Sequence, residues 1–316
     1  MKDTIAAIVV TYNRASLLKR CIKAILAQTI LPDAIYIVDN RSTDNTQETL
    51  EEESWIDLKQ TCEPSVDGVI YYNELKIDDK KIKIYYLYKD ENNGGAGGFY
   101  SGMRAGYEAG YDWVWMMDDD GYPEKNALEE LIKVSKKYDI KFLNSIVIKE
   151  EDHSKLLFPL DKGKDRKHYL NQEIVEGYVN PFNGTLISKE IIEKIGFVKK
   201  EMYIWGDEVE YKERTLFNKY RIATVSKAIH FHPSINKTKL MNVIPYVPLL
   251  KIPHIIKERK HIYYRNYGYI YITYNKKNES LKFTFKHSLY YIMRLDRVGL
   301  IKFFKSYRQG SNNIFP

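Results

Sequence analysis

"IAAIVVTYNRASLLKRCIKAILAQ", residues 5–28, holds two hydrophobic periods back to back. Residues 5–11 form an apolar, β-branched run ending in polar side chains, and from Ala15 the apolar residues recur at helical spacing. A strand followed by an amphipathic helix is what these periods dictate. "AIYIVDNRSTDNTQETLEEE" at 34–53 repeats the scheme: a strand through Val38, a polar turn, and a helix that Thr43 or Asp44 can cap. Strands alternating with helices predict an α/β fold with a mostly parallel sheet, whose ligands sit at the carboxyl ends of the strands.

Further on, residues 51–83 are charged and irregular and read as an insertion, with "KIDDKKIKIYYLY" at 76–88 as a hairpin arm leading into a strand. A glycine-rich loop, "NNGGAGG" at 92–98, precedes the strand "DWVWMM" and the acidic triplet Asp118, Asp119 and Asp120. Helices are expected over 126–138 and 205–220, and a strand then a helix over 180–197.

At 316 residues and 44% hydrophobic content the chain can bury a sizeable core, so a globular protein of one or two domains is expected. No run approaches the roughly 18 apolar residues of a membrane span. The amino terminus lacks a basic leader with a cleavage site, and Cys21 and Cys62 are too few for a disulfide framework. These features predict an unprocessed cytoplasmic protein. Charge is uneven: residues 236–316 carry 16 basic and 3 acidic side chains, or +13, leaving −6 of the total +7 for residues 1–235. That split predicts a catalytic domain over 1–235 and a basic, aromatic-rich, largely helical region over 236–316.

Three adjacent carboxylates repel one another and raise one another's pKa unless a cation lies among them. On an extended segment Asp118 and Asp120 face one side and Asp119 the other. Two carboxylates at a strand's carboxyl end can hold Mn²⁺ or Mg²⁺, with a substrate diphosphate completing the shell. The plain alternative is a solvated turn before Pro123. The glycine run lets backbone approach a ligand, yet it lacks the Lys-Ser/Thr of a P-loop and does not match GxGxxG. Asp39 closes the second strand, where it can accept from a ribose or base, or cap the following turn. In "MYIWGDEVEYKER" Asp207 and Glu210 have capping-box spacing, and an acid at a helix start suits a general base because the dipole favours its anion. "AIHFHPS" at 228–234 puts His230 and His232 on one face if extended, and an imidazole joined to carboxylates suits Mn²⁺.

In this order, "VVTYNR", "VDNRSTDNT" and "WMMDDDGYP" resemble inverting glycosyltransferases of family 2, and "NNGGAGGFYSGM" with "YIWGDEVEY" resembles their galactofuranosyltransferase branch. The likeness spans roughly residues 4–235 and implies the GT-A nucleotide-sugar-binding sandwich. It implies that Thr11, Tyr12, Asn13 and Asp39 hold the uridine, with Arg14, Asp118 and Asp119 also at the nucleotide. Asn93, Gly94, Gly95 and Gly97 would lie by the donor. Asp118 and Asp120 would reach Mn²⁺ (or Mg²⁺) and the diphosphate. A downstream histidine would complete the metal shell, His230 by its place directly after the apolar run, with His232 the alternative. Asp207 would be the catalytic base, with Glu208 behind it. The chain departs from the family where DNGSTD becomes DNRSTD, with Arg41 for Gly, and where WDD becomes WGD, with Gly206 for the first acid.

The implied reaction is a single displacement: an acceptor hydroxyl deprotonated by Asp207 attacks the anomeric carbon opposite UDP. Partners are a UDP-sugar, galactofuranose by likeness, and a glycan or lipid-linked glycan of a bacterial surface polysaccharide. Rhamnosyl, glucosyl and N-acetylhexosaminyl donors are alternatives, as is a non-catalytic nucleotide- or glycan-binding module. A nucleotidyltransferase would open with a Gly-rich basic loop, which "VVTYNRAS" is not. The basic region places Leu281, Phe285, Leu289 and Ile292 on one stripe beside Lys282 and Lys286. This predicts either peripheral contact with an anionic membrane surface or packing on the catalytic domain. "YYRNYGY" at 263–269 is a candidate for the acceptor side, and no nucleic-acid-binding motif is present.

Overall fold

A computed structural model of the chain describes residues 3–62, 67–161, 165–234, 240–244, 250–255 and 257–315. It opens with β1 (Ile5–Thr11), α1 (Ala15–Leu26), β2 (Ala34–Asp39) and α2 (Thr46–Glu52), the two strand–helix units expected. A hairpin of β3 (Gly68–Ile77) and β4 (Lys80–Lys89) leads to α3 (Gly94–Glu108), β5 (Trp113–Asp118), the short β6 (Tyr122–Pro123), α4 (Ala127–Tyr138) and β7 (Phe142–Lys149). Then come α5 (Arg166–Tyr169), β8 (Ile174–Glu176), β9 (Asn183–Ser188), α6 (Lys189–Ile195), α7 (Asp207–Phe217) and β10 (Ile222–His232). A small hairpin of β11 (Leu240–Asn242) and β12 (Lys251–Pro253) precedes α8 (Lys260–Thr273), α9 (Lys277–Ile292) and α10 (Arg297–Ser311).

Among the described residues one ten-stranded sheet runs β3-β4-β2-β1-β5-β9-β7-β10-β6, with β8 beside β10. Strands β4, β2, β1 and β5 are parallel, while β9 runs antiparallel between β5 and β7. β1 is buried along its whole length because helices cover both faces, which is why it reads as an unbroken apolar run. Thr11 is level with Asp39, and Val10 with Asp118, so the ends of β1, β2 and β5 meet at one edge.

One correction concerns the glycine run, which is not a loop. From Gly94 it is the first turn of α3, and its glycines let that helix lie directly on the sheet. A Cβ on Gly98 would stand 2.4 Å from Val10 Cγ1, and one on Gly102 2.3 Å from Ile8 Cγ2. Helical spacing of four residues turns both onto the face that meets β1.

The basic region packs against the rest of the molecule. Ile270 of α8 and Tyr274 just after it join the core under α3 and α7, and α8, α9 and α10 enclose a second aromatic core around Tyr264, Phe283 and Phe303. Of the proposed stripe, Leu289 turns into this core, while Leu281, Phe285 and Ile292 stay exposed. Among the described residues no helix is long and apolar enough to cross a membrane.

Candidate active site

The edge where β1, β2 and β5 end is polar and largely buried. Thr11 donates its hydroxyl to Asp119 Oδ2 at 2.7 Å. Arg14 Nη1 donates to Asp119 Oδ1 at 2.9 Å and to Asp120 Oδ2 at 2.8 Å. The cation that three neighbouring carboxylates demand is therefore supplied in part by the chain itself. Asp119 and Asp120 share Arg14 because β5 stops at Asp118 and the chain turns, which ends the strict alternation expected from an extended segment. Burial, then the charges of Asp120 and Asp119, push Asp118 well above the usual carboxylate range. Burial raises Asp119 to about 6 despite Arg14 and Thr11. Burial acts upward on Asp120 too, but His232 and Arg14 outweigh it and hold the group below its ordinary value.

The residues implied at the uridine divide. Tyr12 is exposed at the rim, whereas Asn13, at φ 53°, accepts from Thr43 N at 2.7 Å and so joins the loop after β1 to the turn after β2. Asp39 is turned inward: Ser42 N donates to one oxygen and the Tyr86 hydroxyl to the other, both at 2.6 Å. It is the capping reading of Asp39 that its contacts match. Arg41 has φ 66°, the left-handed conformation that explains the glycine usual there.

At the start of α3, Gly94 N donates to Asn92 Oδ1 and Ala96 N to the carbonyl of Tyr203. These amides are thus occupied within the protein, and Gly95 alone of the glycines from 94 to 98 faces open space. Two buried groups that the sequence did not single out stand nearby. Asn40 Nδ2 donates to Gly94 O at 3.0 Å, and Lys89 Nζ to Ser101 Oγ at 3.1 Å. Lys89 closes β4 as Asp39 closes β2, and only that position could have signalled it.

His232, rather than His230, meets the triplet. Its Nε2 lies 3.1 Å from Asp120 Oδ1, within ion-pair distance. His230 is fully buried behind Gly121 with both ring nitrogens unpartnered, and burial lowers it to about 3. A carboxylate oxygen facing an imidazole nitrogen is a mixed donor pair that fits Mn²⁺. Among the described residues no three such side chains converge, so the rest of a metal's shell would have to come from a diphosphate and water.

Asp207 begins α7 and is almost fully buried. Gly206 is the N-cap, and Glu210 pairs with Arg214 at 2.7 Å instead of folding back, so the capping box does not form. Burial first, then the charge of Glu208 and a hydrogen bond to it, raise Asp207 well above the ordinary range, with Asp118 adding to the shift. Burial thus opposes the anion that the helix dipole was expected to favour, while the carboxylate, once ionised, pulls harder on a hydroxyl proton. The preceding loop is strained: Tyr203, Trp205 and Gly206 have φ of 65°, 60° and 109°. Non-glycine residues in that region cost about 1–3 kcal/mol each and persist only where the surroundings hold them.

The family model for glycosyl transferase family 2 matches residues 6–59 and 70–196, its gap falling between α2 and the start of β3. Over 241 residues the chain is 29% identical to galactofuranosyltransferase GlfT1 of Mycobacterium tuberculosis (strain CDC 1551 / Oshkosh), covering 74% of this chain and 71% of that protein. Its fold is similar to crystal structures of S. aureus TarS. One superposes with a TM-score of 0.54 at 13% identity over 98% of this chain, which spans 55% of that longer chain. Another, residues 1–349 in complex with UDP-GlcNAc, gives 0.52 at 13% identity over 97% of this chain and 92% of that one. At such identities the likeness establishes the GT-A architecture alone. Matched over more than half its length by the family model, this chain belongs to glycosyl transferase family 2.

Proposed function

We propose that this glycosyltransferase moves galactofuranose from UDP-galactofuranose, with inversion, to a hydroxyl of a lipid-linked glycan in bacterial surface polysaccharide synthesis. The observation that carries the inverting chemistry is Asp207, an acid buried at the first turn of α7, where the charges of Glu208 and Asp118 act on it. The choice of sugar is supported by the similarity to galactofuranosyltransferase GlfT1. Asp207 takes the proton of the acceptor hydroxyl while the oxygen of that hydroxyl bonds to the anomeric carbon, and the bond from that carbon to UDP breaks with its electron pair leaving on the diphosphate. One proton transfer of this kind contributes about 10²–10⁴-fold. Thr11 and Arg14 hold Asp119 and Asp120 in place at the diphosphate. Asp120 and His232 would hold Mn²⁺ or Mg²⁺, which when bound supplies positive charge for the leaving group.

Asp207→Asn should abolish transfer while UDP affinity stays within twofold by calorimetry; transfer at the parent rate would remove Asp207 from the base role. Donor identity is tested by calorimetry with UDP, UDP-galactofuranose, UDP-galactopyranose, UDP-N-acetylglucosamine and dTDP-rhamnose, each with Mn²⁺ and with chelator. Preference for UDP-galactofuranose, lost in chelator, is expected. Preference for another sugar would replace the donor, and binding without turnover would favour a binding module.

A second surface supports a membrane partner. Leu281, Phe285, Ile292, Leu295, Val298 and Ile301 are exposed on α9, α10 and the turn between them, beside exposed Lys282, Arg297, Lys302 and Lys305. Leu295 is 89% exposed at φ 53°, an unfavourable place for a branched apolar residue unless it is covered. Like charge disfavours pairing of this face with a second copy, and an anionic bilayer complements it.

A further inference from the structure

Asn266 and Arg265 lie in the aromatic stretch "YYRNYGY" of α8, outside the matched family segment, and both are buried. Asn266 Nδ2 donates to three carbonyls of the loop that precedes Asp207: Met202 at 2.9 Å, Ile204 at 3.1 Å and Trp205 at 2.9 Å. Arg265 fixes the amide from behind, its Nε and Nη2 each 3.2 Å from Asn266 Oδ1, and Nη2 also donates to Glu201 O at 2.9 Å. On the opposite side, Tyr203 O accepts from Ala96 N of α3 at 3.1 Å. There is no room for a Cβ on Gly94, which would stand 2.0 Å from that same oxygen. Between these two holds the loop takes its left-handed turns and delivers Asp207 to the first turn of α7.

We propose that Asn266, braced by Arg265, is a positioning residue for transfer: helix α8 holds the 202–206 loop so that Asp207 keeps its place at the first turn of α7. The proposal rests on Asp207 being the base. It makes the basic C-terminal region part of the catalytic apparatus, apart from any membrane contact. An amide suits this task because its two N–H groups lie in one plane and can serve several carbonyls that a turn brings together.

The test uses the full chain. Asn266→Asp keeps the shape and replaces the donors with an acceptor facing carbonyls, and Asn266→Ser keeps one donor. Phe303→Leu, in the α8–α10 core but away from the loop, serves as the stability control. Transfer at saturating donor, UDP affinity by calorimetry and melting temperature are measured for each. For Asn266→Asp we expect kcat to fall 100-fold or more with the UDP Kd within twofold, Asn266→Ser to be intermediate, and Phe303→Leu to lose melting temperature without losing kcat. If Asn266→Asp does not fold, the same split in Asn266→Ser decides. A kcat within threefold of the parent overturns the proposal, as does a loss of kcat that comes with an equal loss of UDP affinity or that Phe303→Leu shows as well. Asp207→Asn in the same assay separates the two readings. If it remains active, the base and this proposal both fall; if it is dead while Asn266→Asp is near normal, the positioning role alone falls.

Discussion

The triplet Asp118–Asp120 shows how one side chain settles an electrostatic problem. Arg14 bridges Asp119 and Asp120 but leaves Asp118 under the charges of both. Its folded pKa is above the unfolded one, so folding takes up a proton; stability falls as pH rises from the ordinary carboxylate range through the raised value. Asp118→Asn, similar in shape and uncharged, should therefore raise the melting temperature in chelator at pH 8. An effect of about 1 kcal/mol, or about 2–4 °C, is expected, shrinking towards pH 4 as the parent carboxyl is protonated. Thermal scans across pH would check it, and a lower melting temperature at pH 8 would mean that the anion is compensated within the fold. The acids were legible as a cluster because composition alone exposes them. Which histidine meets them was not, since His230 and His232 differ only in how β10 and the turn at Gly121 place their rings.

At the scale of elements, helix α3 and the 202–206 loop depend on close approach. Gly102→Ala would push a methyl into Ile8 and should cost about 1–3 kcal/mol, seen as a lower denaturant midpoint. Gly95→Ala meets nothing within 4 Å and should be neutral or stabilise by up to about 1 kcal/mol through lower unfolded-state entropy. Equal effects of the two would mean that α3 is not seated on β1 as described. Glycines are ambiguous in sequence: a run of them serves a ligand loop or a tightly packed helix equally well, and only the neighbour across the gap distinguishes the two. Periodicity, by contrast, was enough for β1, α1, β2 and α4, whose apolar spacing is a local property.

For the molecule as a whole, the +13 of residues 236–316 and the exposed apolar corner of α9 and α10 should act together. Co-sedimentation with vesicles containing anionic lipid should occur at low salt and weaken steeply at 0.5 M, since screening shortens the reach of each charge. Leu295→Glu with Ile301→Glu should abolish it without changing UDP affinity. Salt-independent binding, or a dimer that these changes dissociate, would assign the face to a protein partner. Charge separates residues 1–235 from 236–316 in the sequence, whereas packing joins them. Ile270 and Tyr274 belong to the sheet's core, and Asn266 holds the loop before the proposed base.

By itself the sequence determined the strand–helix alternation, the edge where the acids gather and the family, because each is written in local spacing or in short motifs. Only the tertiary structure decided that Arg14 lies between two aspartates, that His232 faces Asp120, that Asp39 turns inward and that α8 holds the loop before Asp207. Apart from the bond from Ser42 to Asp39, these are contacts between residues 47 to 112 positions apart, and long-range packing sets them.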